Sequence, residues 1–430
     1  MSHQLPGTAP MLLRRVGRAT LAAALGMVTF GVLAVAGMSV SSAHASPAPF
    51  SVHNGGPRTP TTGKRVVAIV LGRSGSDTAD VFAPYEIFAS SPAFTVYTVA
   101  DGTAPASMDG GLHVVPSYTF VDVAAGVAPA PDLVVVPAVI SPAGPEEQAA
   151  RDFVVGQYRA GARILGVCAG SRLLAASGIL DGLRAPSHWS RISALESSNP
   201  AVTWVRGQRY VQDGRVTTTG GVTSSIWGSL KVVADLVGPA EAARVGTLID
   251  YPSWSPDAPV VMPAHSFDAG DLAVVANMAF PWARPVIDVR LGDGVGELGA
   301  AALLEVYSYS QAATARAVSP TGTVTTRHGL MIATVATGSP THQVVVAGEL
   351  VSSAGHHGFD AAFEHLSRNT NPAVLVSVAK MLEYPLDRVV PHAAPLPELW
   401  RPGFLISLSL LLAIAAGASP RIITRIRHRS

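Results

Sequence analysis

The feature that most constrains this chain is a series of short, β-branched apolar runs alternating with helical patterns. RVVAIVL (Arg65 to Leu71), FTVYTVA (Phe94 to Ala100), DLVVVPA (Asp132 to Ala138) and RILGV (Arg163 to Val167) have the length and make-up of strands buried on both faces. Between them, DTADVFAPYEIFASS and EEQAARDFVVGQYRAGA read as helices. Strands hidden on both sides need helices on both sides, so this order predicts a doubly wound parallel α/β sheet. In such sheets the chemistry gathers at the carboxyl ends of the strands. Ser46 to Lys64, rich in Pro, Gly, Ser and Thr, reads as a linker (46–64) leading into that domain.

A chain of 430 residues is long enough for two domains. With 48% hydrophobic and only 14% charged residues, the composition places part of it in lipid. Net charge +1 argues against nucleic acid as a partner, since phosphate binding needs a basic footprint. A single cysteine excludes a zinc–cysteine cluster and a disulfide framework. Arg14, Arg15 and Arg18 precede an apolar run from Ala19 to Val40 and then Ala43-His44-Ala45, which gives residues 1–45 the form of a signal peptide or signal anchor. Trp400 precedes and Arg421, Arg425, Arg427 and Arg429 follow a second apolar stretch, so 402–420 is expected as a transmembrane helix and 421–430 as a basic cytoplasmic tail. The resulting expectation is a single-pass cell-membrane protein with its folded domains outside the cytoplasm.

The chain also repeats itself. GSDTADVFAPYEIF (Gly75 to Phe88) aligns without gaps on GVGELGAAALLEVY (Gly294 to Tyr307), and DLVVVPA aligns on HQVVVAG (His342 to Gly348). PAEAARVGTLIDYP (Pro239 to Pro252) aligns on PAVLVSVAKMLEYP (Pro372 to Pro385). GGLHVV on HGLMIA makes a fourth match in the same order, which reads as a domain at 65–258 followed by a degenerate second copy at 284–390. The second copy lacks about half the unit, including any counterpart of the cysteine segment, and has Gly299 where the first has Asp80.

That segment, GVCAGSRLLAASGILDG, sets Cys168 at a strand-to-helix turn flanked by Gly166 and Gly170. Unpaired N–H groups at a helix start lower a thiol pKa and can receive an oxyanion. By itself the pattern fits a small buried packing residue equally well. Asp80, at the start of the first helix, and His188, twenty residues after the cysteine, supply the company a nucleophile needs.

ILGVCAGSRLLAASGILDGLRAPSHW, together with DVFAPYEIF, GGLHVVPSYTF and PDLVVVPA, resembles the DJ/PfpI family of the class I glutamine amidotransferase-like superfamily. The likeness is strongest to the subgroup of isonitrile hydratases and the N-terminal domains of AraC-type regulators. It covers about Arg65 to Pro252 and implies a flavodoxin-like doubly wound sheet, here followed by the degenerate copy, with terminal hydrophobic helices. Cys168 falls on the family's reactive cysteine, Asp80 on the acid that hydrogen-bonds it, and His188 on the histidine after the elbow. Ala169 would give a backbone N–H to an oxyanion. Ala138 and Val139 stand where the family commonly has two glycines, with the Ala138 N–H as the second oxyanion donor, and Ala169 stands where isonitrile hydratases have threonine. These residues imply a cysteine-nucleophile hydrolase, amidase or hydratase acting on a small electrophilic substrate. The alternative is a non-catalytic ligand-binding or redox-sensing module. No metal or cofactor is expected. The expected partners are a small molecule and the membrane, with the second copy packed on the first as an internal pseudo-dimer and no nucleic acid.

Overall fold

The computed structural model describes residue 28 and residues 30–41, 63–251, 254–282, 284–336, 343–346 and 358–388. The chain divides into two compact units, one made of 44–272 with 284–394 and the other of 1–43, 273–283 and 395–430.

The larger unit opens with β1 (Arg65–Val70), helix α1 (Thr78–Ala89) and β2 (Phe94–Ala100). The short strands β3 (Ala106–Ser107), β4 (His113–Val114) and β5 (Tyr118–Thr119) follow, then β6 (Leu133–Val136) and β7 (Arg163–Gly166). After β7 come helix α2 (Ser171–Ala176), the short parallel pair β8 (Arg184–Ala185) and β9 (Thr203–Trp204), the hairpin β10 (Tyr210–Asp213) and β11 (Val216–Thr219), and helix α3 (Val222–Leu236). Seven strands form one sheet in the order β10-β11-β7-β6-β1-β2-β5. β1 lies parallel to both β2 and β6, and β10 alone runs antiparallel to its neighbour. The continuous apolar runs are explained by this placement: β1 is buried from Val66 to Val70 and β6 along its whole length.

The same unit contains a second, four-stranded parallel sheet built from β12 (Val286–Arg290), β13 (Thr314–Ser319), β16 (Val335–Ala336) and β17 (Gln343–Val346), in the order β16-β13-β12-β17. Its central strand β12 has the following strand, β13, on one side and a later one on the other, as β1 has β2 and β6. Helices α4 (Glu297–Ser310), α5 (Gly358–Ser367) and α6 (Pro372–Leu382) accompany it. A small antiparallel sheet, β14 (Thr323–Thr325)-β15 (Met331–Ala333)-β4-β3, joins the two halves through Ile332 opposite Val114.

Helices α1 and α4 pack against each other, and this explains their composition. Eleven of the twelve α1 residues are buried. One side of α1 meets its own sheet and the other meets α4, so neither helix keeps a polar solvent face. The contact is reciprocal: the Leu298 N–H donates to Glu86 Oε2 at 2.6 Å, and the Ala79 N–H donates to Glu305 Oε1 at 2.9 Å. Each carboxyl group therefore meets an unpaired N–H in the first turn of the opposite helix, where intrahelical partners are missing.

In the smaller unit, residues 30–41 are helical. Ser41 Oγ donates to the Met278 carbonyl at 2.8 Å, and the rings of Phe30 and Phe280 lie 5.4 Å apart. The expectation of a membrane-anchored chain is corrected here. A span needs about 20 apolar residues in one helix, and among the described residues no helix is long and apolar enough to cross a membrane. The segments 402–420 and 421–430, and most of 1–45, lie outside the described residues.

Candidate functional site

Cys168 follows β7 and opens a single 3-10 turn, Cys168–Gly170, that leads into α2. Its φ of 54° lies in the left-handed region, a strained conformation for a residue with a side chain, at a cost of about 1–2 kcal/mol. Neighbouring bonds hold it there. The Cys168 N–H donates to Thr219 Oγ1 at 3.0 Å, Val167 N–H donates to the Val136 carbonyl at 2.9 Å, and Ser171 Oγ donates to the Cys168 carbonyl at 3.2 Å. The strain thus falls on the cysteine itself and not on the flanking glycines, neither of which has positive φ. Gly170 is required for space: a Cβ there would lie 2.1 Å from the Val136 carbonyl oxygen. A Cβ on Gly166 would lie 2.5 Å from Leu174 Cδ1.

Asp80 is brought to the cysteine. Its carboxyl group is fully buried, its Oδ2 accepts the Ala138 N–H at 3.0 Å, and it interacts with the Cys168 thiol. Asp77, the N-cap of α1, accepts the Asp80 N–H at 3.2 Å and the Tyr309 hydroxyl at 3.0 Å. Tyr309 belongs to α4, so the second half reaches the neighbourhood of the first half's thiol. Burial, and then the charge of Asp77, push the Asp80 carboxyl well above the usual carboxylate range. Cys168 is only 2% exposed, and burial followed by the charges of Asp80, Asp77 and Glu383 pushes its thiol well above the ordinary value. A hydrogen bond from the Ala169 N–H to the sulfur pulls the other way and is outweighed. The balance is a protonated thiol at neutral pH. Of the two expected oxyanion donors, Ala138 is engaged by Asp80 and Ala169 by the sulfur itself.

His188 is held elsewhere. It caps the helix Trp189–Ser198, its Nδ1 accepting the Ser190 N–H at 3.3 Å, while its Nε2 lies 2.6 Å from the Met381 carbonyl. A carbonyl only accepts, so the proton sits on Nε2 and the ring is neutral. Burial depresses its pKa to about 4, in agreement with that tautomer. Both nitrogens are committed, and neither bonds Cys168.

Sequence reasoning missed Glu383. It ends α6 with φ 54°, its Oε2 accepts the Ser224 hydroxyl at 2.6 Å and the Gly221 N–H, and burial raises its pKa to about 7. Among the described residues, no group hydrogen-bonds its Oε1. One signal was present in the repeat: LEYP aligns with IDYP, and Asp250, at the position matching Glu383, also has positive φ, 58°. Glu383 lines a cleft with Ser187, Trp189, Arg206, Met262 and His265.

Two groups have the donor set for a metal ion, Glu86–Glu297–His328 and Asp77–Asp109–Glu305. The first is closed by its own bonds. Glu297 accepts the Thr326 hydroxyl at 2.6 Å and pairs with His328 at 2.8 Å, and Glu86 receives the Leu298 N–H.

Residues 64–235 match the model of the DJ-1/PfpI family. The chain is similar to an isonitrile hydratase of Pseudomonas putida, 31% identical over 228 residues, which cover 52% of this chain and 92% of that protein. It is also similar to the HTH-type transcriptional regulator CdhR of Pseudomonas aeruginosa, 37% identical over 87 residues, 20% of this chain and 26% of the regulator. Among solved structures, a ThiJ/PfpI family protein from Pseudomonas syringae is 26% identical, with 52% of this chain and 89% of that one covered and a TM-score of 0.40. These relatives complete the correction begun above. Several are named as transcriptional regulators, so neither the membrane-anchored extracytoplasmic cysteine hydrolase nor the exclusion of nucleic acid is retained.

Proposed function

The chain belongs to the DJ-1/PfpI family, and we propose that it is a small-molecule-binding member whose second half is a built-in, degenerate partner. The shared strand order around β1 and β12 supports the duplication, with the first copy at 65–258 and the second at 284–390. So does the position of the reciprocal bonds: Glu86 aligns with Glu305, and Ala79 with Leu298. A two-fold contact has this property, residue i meeting j while j meets i. The second half has no cysteine, so it serves the first site as a wall, through Tyr309 and Glu383.

One observation carries the binding role: Cys168 is sealed under carboxyl groups that keep its thiol protonated, and His188 is not available to deprotonate it. A neutral thiol is a poor nucleophile. Glu383, whose charge reaches the thiol, also lines a cleft in which the apolar Trp189, Ile192 and Met262 stand beside the polar Ser187, Arg206 and His265, a mixed lining that suits a small ligand. The isonitrile hydratase relative supplies the first ligand class to try. The test titrates the purified full-length chain with tert-butyl isocyanide, following tryptophan fluorescence with Trp189→Phe as control and N-formamide formation by NMR. A saturable signal lost in Trp189→Phe, no formamide, and thiol alkylation with a midpoint above ~8.5 is expected. Formamide production abolished by Cys168→Ser, or a thiol titrating below that value, overturns the reading.

A further inference from the structure

We propose that the cleft lined by Ser187, Trp189, Met262 and Glu383 takes a small primary amine as its ammonium ion. Its N–H groups would go to Glu383 Oε1 and Ser187 Oγ, and its apolar body would lie against Trp189, Ile192 and Met262. This rests on the reading of the cleft as a ligand site and names the chemistry that the polar end of the cleft accepts. Glu383 and Ser187 both line the cleft, and they are only 3% and 2% exposed. Among the described residues, no group hydrogen-bonds Glu383 Oε1 or Ser187 Oγ. Buried polar atoms are almost always paired, so two open ones in one cleft mark the places where an occupant bonds.

The carboxyl group is fixed through one oxygen, which leaves the other spare. Oε2 accepts the Ser224 hydroxyl at 2.6 Å and the Gly221 N–H, both at the start of α3. Thr223 Oγ1 donates to the Glu383 carbonyl at 2.7 Å and holds the backbone there. The open oxygen neighbours a cleft residue: a Cβ built on Gly220 would lie 3.0 Å from Glu383 Oε1 and 2.9 Å from Met262 Cε. Met262 has a flexible thioether, so its methyl group can yield to an occupant. Charge selects the amine. Among the described residues, no lysine, arginine or histidine forms an ion pair with Glu383. Arg209 reaches it through its charge alone, with its guanidinium over the Trp227 ring at 4.9 Å. A buried carboxylate without a counter-charge is costly, and an ammonium ion supplies both the charge and the donor. The Ser187 hydroxyl can accept a second N–H. Cations around the cleft do not stand in the way: Arg206 is paired with Glu196 at 2.8 Å, Lys380 is paired with Asp268 and Asp271, and burial favours the neutral form of His265.

Three probes of similar size separate charge from hydrogen bonding. Tert-butylamine carries a charge and N–H groups, tetramethylammonium a charge without N–H, and tert-butanol a hydroxyl without charge. Each is titrated into the purified full-length chain at about pH 8, above the Glu383 pKa of about 7, with tryptophan fluorescence as the readout, beside tert-butyl isocyanide. Tert-butylamine binding at least about tenfold more tightly than the other two probes, as a charge-assisted hydrogen bond implies, supports the assignment. The advantage should vanish in Glu383→Gln and shrink in Ser187→Ala. Equal affinities for the amine and tetramethylammonium or tert-butanol overturn it, as does a preference that survives in Glu383→Gln. Should that variant fail to fold, the three affinities of the unaltered chain decide by themselves. Isocyanide that saturates the cleft while the amine has no advantage overturns the amine and leaves the ligand site standing. If none of the four compounds gives a saturable signal, the ligand site fails and the amine with it.

Discussion

Replacing Gly170 by alanine adds one methyl group at the tightest point of the elbow. The new Cβ would sit 2.1 Å from the Val136 carbonyl oxygen and 2.9 Å from both the carbonyl carbon and oxygen of Pro137. All three are backbone atoms at the end of β6, so no side chain can swing aside. Either the elbow or the strand end must move by about 1 Å, and overpacking of this kind costs roughly 1–3 kcal/mol, with rigid backbone at the upper end. Because Gly170 has helical dihedrals, φ −59° and ψ −26°, alanine recovers at most about 1 kcal/mol of helix propensity. A net loss of about 2 kcal/mol, near a thirtyfold change in the unfolding constant, is expected. Urea unfolding monitored by circular dichroism measures it, with Gly156→Ala as the matched control. Gly156 lies on the exposed face of the helix Gln148–Arg159 with nothing within 4 Å of its added Cβ, so the same substitution there should stabilise by about 0.5–1 kcal/mol. If both variants shift the midpoint in the same direction, the assignment of Gly170 to close packing is wrong.

Two further outcomes follow from the contact of α1 with α4 and from Glu383. Leu304→Ala, at a fully buried position of α4, should cost about 2–4 kcal/mol in the same unfolding experiment; a loss under 1 kcal/mol would mean that α4 does not anchor the second half. Glu383 has its pKa raised to about 7, so the folded state binds its proton more tightly than the unfolded chain, and its share of stability is lost as pH rises from about 4.5 through 7. Glu383→Gln lacks that loss, and its stability relative to the unaltered chain should improve steadily across the window; a pH-independent difference would show that Glu383 does not titrate there.

The parts legible in the sequence were those decided locally or by periodicity. Buried parallel strands announce themselves as unbroken apolar runs, and β1, β2, β6 and β7 lie where RVVAIV, FTVYTVA, LVVV and RILG stand. Asp80 meets Cys168 because the first turn of the helix after β1 and the elbow after β7 both lie beyond the carboxyl ends of strands in one sheet. His188 was misleading for the opposite reason: its partner is the carbonyl of Met381, 193 residues later, and no spacing rule reaches that far. Tyr309 and Glu383 approach the site only through the packing of the second half. The low charge content, read as a sign of lipid, has a different physical source within the described residues, since α1 and α4 are enclosed on all sides and need no charged face.

That enclosure bears on how the chain is made. When the first half has left the ribosome, residues near 300 are still to be added, and until they arrive α1, a helix with eleven of its twelve residues buried in the finished fold, lacks the cover that α4 later supplies. A nascent chain in this condition is an aggregation hazard, and a second nascent copy could dock on the bare helix. Having the covering helix on the same polypeptide turns that encounter into a unimolecular step, independent of protein concentration. A fragment ending near residue 258 should therefore be found as a concentration-dependent oligomer or an aggregate, whereas the uncut chain carries its own cover.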